Sequence, residues 1–406
     1  MTSSKLRVGV AGLGRAFMLM EQALLQHPRV ELVAAADPRP LARERFTVDF
    51  NAPAYASVAE LCGDEHVQAV YVATPHELHA EHVATAALQG KHVLVEKPMA
   101  LTMKDCQAMV EVTGRAGVHL IVGHSHSHDT PYLRTRDLVA SGEFGDLRMI
   151  TALNFTDYLY RPRRPEELST ASGGGVVFGQ APHQVDVVRL IAGGVVRSVR
   201  SATGIWDPTR CTEGAYSALL LFENGVAASL TYSGYGHFDS DEFVGGIGEL
   251  GQPPGARQHG AARRRLRELT GARDESSLKD ARMYGATDGG SQADRAHGLH
   301  SHFGLVLVSC ERADLRPTPA GIVIYGDERQ WVDELPAPLA PRSEVLDELC
   351  DAVLQGRPPL HTGAWGMATL EVCLGILRSA AEGREITLEH QVPVPKAGSV
   401  GSSRAS

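Results

Sequence analysis

The first 123 residues alternate between two kinds of segment, and that alternation constrains the fold more than any other feature. Short apolar runs occupy 6–11, 31–36, 69–73, 92–95 and 120–122. Stretches with helical patterning separate them, clearest over 77–89 and 103–116. Short, almost wholly apolar runs spaced by helices predict parallel strands covered on both faces. Right-handed crossovers then wind them into one doubly wound α/β domain over residues 1–123. Ligands of such a sheet bind outside the carboxyl ends of its strands.

The residues at those ends suit a dinucleotide. The first run closes on Gly12-Leu13-Gly14, followed by Arg15, Ala16 and Phe17 at the start of a helix. Gly12 allows the tight turn, Gly14 lets backbone approach a pyrophosphate, and the N–H groups of the following helix face that anion. The third small position of this fingerprint holds Phe17, so the match is partial. Asp37 ends the second run, where its carboxylate can accept from a ribose 2′-hydroxyl and repel a 2′-phosphate. NAD is therefore favoured over NADP, although Arg39 two residues on suits a phosphate; a turn residue before Pro38 is the plainer reading of Asp37. Thr74-Pro75 ends a third run beside the adenosine or nicotinamide. Glu96-Lys97-Pro98 ends a fourth, setting an ammonium at the crevice.

The rest of the chain has another pattern. Strand-like segments at 147–158, 196–206, 215–222, 227–235 and 321–325 alternate polar and apolar residues, as in an antiparallel or mixed sheet with one open face. Asn224-Gly225 marks a hairpin. Helices are predicted at 131–141, after Gly173-Gly174-Gly175, at 343–355 and at 363–382. A second domain thus spans 124–395. Residues 246–300, rich in Gly, Arg, Gln and Asp with a basic helix at 261–269, read as a long insertion, either a lid or oligomer arm or a disordered loop. Residues 396–406 read as a disordered tail.

Composition excludes several classes. The 406 residues are 43% hydrophobic and 21% charged, enough for real cores. A net charge of −9 argues against nucleic acid and anionic membranes. Six scattered cysteines without a C-x-x-C pair read as reduced thiols. With no signal peptide or membrane-spanning run, the expected location is the cytoplasm.

Taken in order, Gly12-Leu13-Gly14, Ala73-Thr74-Pro75 with His79, Glu96-Lys97-Pro98, Val122-Gly123, 141–145 (SGEFG) and Gly173-Gly174-Gly175 leading to His183 resemble the Gfo/Idh/MocA oxidoreductases. The resemblance implies a Rossmann domain, an α/β domain with a large open, mostly antiparallel sheet, and a homo-oligomer, dimer or tetramer, built through that sheet. It also implies that His79 belongs to the cofactor site. Residues 158–168 and 173–186 are similar to the phthalate-degradation branch. That likeness implies NAD-dependent oxidation of a cis-dihydrodiol dicarboxylate, 4,5-dihydro-4,5-dihydroxyphthalate, to its catechol. Sugar and inositol dehydrogenases of the family carry an aspartate where this chain has Gly179, so their Lys-Asp-His relay is incomplete here. A sugar or inositol dehydrogenase, or an NAD-dependent glycosidase of the same fold, are the alternatives.

Lys97 and His183 are the expected catalytic pair, one as base and the other as its hydrogen-bonding partner. A lysine that only touches cofactor and a histidine that only satisfies a helix start are the plainer readings. Arg161, Arg163 and Arg164, stiffened by prolines, can fork onto the carboxylates of an anionic substrate; pairing with Glu166 and Glu167 is the alternative. His126 and Gln180 are expected to contact substrate. The run 124–129 (HSHSHD) also allows a metal reading, but no metal is expected.

Overall fold

The computed structural model describes residues 5–123, 125–255, 259–269, 274–286 and 298–395. The tail expected to be disordered, 396–406, lies outside the described residues, as do 256–258, 270–273 and 287–297 of the insertion.

Six parallel strands form the first sheet: β1 (Leu6–Ala11), β2 (Val30–Ala36), β3 (Ala54–Tyr55), β4 (Ala69–Val72), β5 (His92–Val95) and β6 (Leu120–Val122). Their order is β3-β2-β1-β4-β5-β6, so the chain reverses its direction of progress between β1 and β4. That switch point opens a crevice beyond the ends of both strands. Every residue of β4 is buried and β1 has one half-buried position. This is why these runs show no alternation in sequence. The two-residue β3 is too short to leave a periodic signal.

Nine strands form the second sheet: β7 (Leu147–Phe155), β8 (Val196–Gly204), β9 (Ala215–Phe222), β10 (Ala227–Ser233), β11 (Leu305–Cys310), β12 (Ala313–Thr318), β13 (Gly321–Gly326), β14 (Gln330–Glu334) and β15 (Ile386–Thr387). The order is β14-β13-β12-β11-β7-β10-β9-β8-β15. Only β7 and β10 pair in parallel, at the centre. Helices Ala181–Ala192 and Gly363–Glu382 share one hydrophobic core with this sheet. The opposite face leaves Met149, Leu219 and Val332 exposed. Asn224-Gly225 does make the β9–β10 turn, with Gly225 at φ +86°.

Two boundaries differ from the sequence reading. Helix Ser343–Gln355, assigned by order to the second domain, sends Val345, Leu346 and Leu349 into the core of the first sheet with Leu6, Val8 and Ile121. The first domain is therefore completed by a distant segment, which no local pattern can reveal. The described parts of 246–300 are folded onto both domains. Tyr284 packs edge-on against Phe17 at 5.2 Å, while Glu275 pairs with Arg210 at 2.9 Å. Among the described residues, no helix is long and apolar enough to cross a membrane.

Candidate active site

The glycine turn fits the phosphates of a dinucleotide. Gly12 sits at φ +95°, and a Cβ there would lie 2.8 Å from the carbonyl of Ala73. A Cβ on Gly14 would meet nothing within 4 Å, so open space lies against its backbone. Gly14 starts helix Arg15–Gln26 with no side-chain hydrogen bond to the first turn, which holds Arg15 and Ala16. That leaves main-chain N–H groups for an anion. Phe17 departs from the expectation of cofactor contact: its ring is fully buried against Phe46, Phe50 and Tyr284. The large side chain at the third fingerprint position is tolerated because it points into the core.

Asp37 ends β2, buried, with Oδ2 accepting from Leu13 N at 2.9 Å. Arg39 forks onto it, Nε to Oδ1 at 2.9 Å and Nη2 to Oδ2 at 3.0 Å. Arg39 also donates to the carbonyls of Leu13 and Tyr284. Thr74 and Pro75 lie at the crevice, Thr74 Oγ1 within 2.9 Å of His82 Nδ1. His79 and Glu96 are placed differently from expectation. His79 is fully buried, its ring nitrogens 2.9 Å from Thr74 O and 3.1 Å from Pro98 O. It ties two crevice turns together and faces no ligand space. Glu96 turns inward, accepting from the Tyr71 hydroxyl at 2.5 Å. The two residues just past the end of β5 thus point apart, Glu96 to Tyr71 and Lys97 to Gly179.

Lys97 Nζ donates to the carbonyl of Gly179 at 3.1 Å. Gln180 Nε2 donates to that carbonyl too, at 3.1 Å, which turns its amide back on the chain. Burial pulls the Lys97 ammonium below its ordinary value; Glu96 and Glu249 oppose that, and Arg342 and Arg163 add to it. His76, without a sequence signal, lies near enough that burial, His79 and Lys97 together lower it to about 3. His183, on the first turn of Ala181–Ala192, packs edge-on to His126 at 4.9 Å and against Phe303 at 5.1 Å. One turn on, Asp186 accepts from Ser125, Ser127, Trp365 and Thr369. Burial works against its charge, but His361 and Arg189 outweigh that and hold it low. A carboxylate so enclosed is an anchor beneath His183 and a poor proton acceptor.

The histidines of 125–129 diverge, and His124 lies outside the described residues. His126 Nδ1 is 2.6 Å from Asp129 and Nε2 is 3.6 Å from Glu249. Burial opposes its protonation, but both carboxylates overcome this and raise it. His128 stacks on His361 at 3.6 Å, in a buried group with Glu348 whose ligating atoms lie within 4.8 Å of one another. Existing bonds hold that group: His361 Nδ1 to Glu348 at 2.7 Å and Nε2 to Ser127 at 2.9 Å.

Glu249 also lines a cavity of about 620 Å³ with Arg161, His237, Phe238, Asp241 and Arg263. Burial opposes its charge, yet His126 and Arg161 lower it to about 2. Sequence patterning could not find Glu249, since it lies in the insertion. Of the three arginines, Arg161 alone lines this cavity, with Asp157 at 2.9 Å. Arg163 and Arg164 are not brought to it. Arg163 lies over the Tyr158 ring at 3.6 Å and donates to Tyr158 O at 2.7 Å. Arg164 pairs with Asp280 at 2.7 Å. Acids of the insertion, absent from any local reading, take up the latter.

A dinucleotide turn and a desolvated lysine in the cleft between two α/β layers define a nicotinamide-dependent oxidoreductase. Residues 6–124 match the oxidoreductase family with an NAD-binding Rossmann fold, and 132–250 match the GFO/IDH/MocA C-terminal domain. The chain belongs to the Gfo/Idh/MocA oxidoreductase family, and its nucleotide is NAD. It is 48% identical over 379 residues to 1-carboxy-3-chloro-3,4-dihydroxycyclohexa-1,5-diene dehydrogenase of Comamonas testosteroni, covering 92% of this chain and 94% of that one. A crystallised protein of Bordetella bronchiseptica RB50, assigned as a dehydrogenase, superposes with TM-score 0.89 at 44% identity, covering 95% of this chain and all of that one (100%). The WlbA dehydrogenase of Bordetella pertussis, solved with NADH and UDP-GlcNAcA, shares the fold at TM-score 0.65 and 22% identity, covering 95% and 99%.

Proposed function

We propose that the chain oxidises a carboxylated cis-dihydrodiol of a cyclohexadiene with NAD, giving the catechol. The observation that carries this is Lys97, desolvated at Gly179 and near enough to feel the charge of Glu249, which lines one cavity with the Arg161 guanidinium. The Comamonas relative, named for a carboxylated, ring-hydroxylated cyclohexadiene, supports the substrate class. Gly12, Gly14 and Asp37 would hold NAD, which would supply the hydride acceptor.

The chain's own residues manage the proton and the anion. Lys97, with its ammonium disfavoured by burial, takes the proton from the reacting hydroxyl. His183 stands next to His126, whose protonation Asp129 and Glu249 favour against burial. Arg161 binds the ring carboxylate as a fork. With Arg163 and Arg164 engaged elsewhere, one carboxylate is better provided for than two, and the phthalate dihydrodiol is the second candidate. The product ketone tautomerises to an aromatic ring, a downhill step that asks little of the protein. The exposed face of the nine-stranded sheet, with Met149, Leu219 and Val332, is proposed as the oligomer interface, to be checked by light scattering.

The test is NADH formation with a panel of the benzoate-type and phthalate-type dihydrodiols, an uncarboxylated dihydrodiol, inositol and glucose. The carboxylated diols should give the highest kcat/KM. Preference for inositol or glucose would refute the reading, and turnover of a glycoside without free NADH would favour the glycosidase alternative.

A further inference from the structure

Gly179 has an ordinary backbone, so conformation does not explain its lack of a side chain. Space does: a Cβ there would lie 2.0 Å from Tyr158 Oη and 2.8 Å from Cζ. The phenol thus occupies the side-chain position of the very residue whose carbonyl receives Lys97 Nζ at 3.1 Å. Tyr158 is rigidly held. Arg163 covers one face of its ring at 3.6 Å and binds its carbonyl at 2.7 Å, and Tyr158 N donates to Thr156 Oγ1 at 3.2 Å. Its hydroxyl has no hydrogen-bond partner among the described residues, and its oxygen is not fully buried. A fixed phenol, beside a cleft lysine and with its O–H uncommitted, is placed to act on whatever oxygen Lys97 serves.

We propose that Tyr158 is a further catalytic residue, its Oη donating a hydrogen bond to the substrate oxygen that Lys97 deprotonates. This deepens the functional reading above and rests on it. In the step, the carbinol C–H electron pair leaves as hydride to the nicotinamide ring. The O–H proton passes to neutral Lys97 Nζ, and the C–O bond becomes a carbonyl. Tyr158 keeps its own proton throughout and stabilises the negative charge that builds on oxygen before hydride leaves. Arg163, which holds the ring, acts as a positioning residue.

Tyr158→Phe removes one oxygen and keeps the ring. Its kcat should fall about 10²-fold, the usual effect of losing one such donor, with NAD affinity and melting temperature unchanged. Incorporating 3,5-difluorotyrosine at 158 gives a second readout: a more acidic phenol should shift the alkaline limb of the kcat profile to lower pH. A structural role for the ring would leave that limb in place. Tyr158→Phe with kcat within threefold of the parent, or a limb unmoved by fluorination, would overturn the proposal while leaving the substrate reading intact. If the unaltered enzyme makes no NADH from any diol, the substrate reading falls and this proposal falls with it.

Discussion

Arg39→Ala is expected to tighten NAD binding, although an arginine beside a nucleotide site is usually taken as an anchor. Asp37 explains the sign. A carboxylate has about four lone-pair sites. Those of Asp37 receive Leu13 N, Arg39 N, Arg39 Nε and Arg39 Nη2, all at 2.9–3.0 Å. A ribose diol can reach this carboxylate only by displacing the guanidinium, which fills two of the sites. The Arg39 side chain is 39% exposed, so solvent screening limits the pair to about 1 kcal/mol. Removing it should lower the Kd for NAD about fivefold. Asp37→Ala should instead weaken NAD at least tenfold, since two ribose acceptors disappear. Calorimetric titration of both variants with NAD and NADP is the assay, and the Arg39→Ala gain should shrink in high salt. A tenfold loss of NAD affinity in Arg39→Ala would refute the reasoning, showing that the guanidinium stays on the cofactor.

Lys97→Met should lower kcat by about 10³-fold with NAD affinity within threefold, and the melting temperature should hold because an apolar side chain of similar length replaces a desolvated amine; near-normal turnover would end its role as base. Because the base must be neutral, the unaltered enzyme's kcat should rise with pH through the lowered value of Lys97, ahead of the fall on the alkaline limb. Arg161→Ala should raise KM for carboxylated diols by about 10- to 100-fold and leave that for an uncarboxylated diol unchanged, a contrast that initial rates will report. Glu344 has the opposite shift from a salt-bridged acid: burial and Asp129 raise it to about 7. The folded chain then holds a proton that the unfolded chain releases near pH 4.3, so stability falls between about pH 4.5 and 7 by up to about 3 kcal/mol. Glu344→Gln should therefore melt above the parent at pH 8 and equal it at pH 4; equal melts at pH 8 would count against a buried, charged Glu344.

The site was legible wherever local pattern fixes a residue's place. A strand run into a glycine turn put Gly12 and Gly14 at a helix start, and the acid ending the next run had to reach the same crevice. Just past the end of β5 Lys97 reaches the carbonyl of Gly179, although Glu96 beside it carries the same local signal and faces Tyr71. Where the partner comes from far along the chain, residue type misleads. Arg164 has the chemistry of a carboxylate binder, yet Asp280, over a hundred residues on, engages it. His79 and Phe17 sit inside cofactor motifs by sequence and inside the core by contact.

By itself the sequence determined the two-layer architecture, the nucleotide turn and the lysine, because periodicity and turn chemistry act over a few residues. Tertiary structure alone decided that helix Ser343–Gln355 completes the first domain, that Glu249 of the insertion faces His126, and that Tyr158 fills the space at Gly179. Those are contacts between segments tens to hundreds of residues apart. They depend on how two sheets and an insertion close on one another, and on volumes that only meet once the chain has folded.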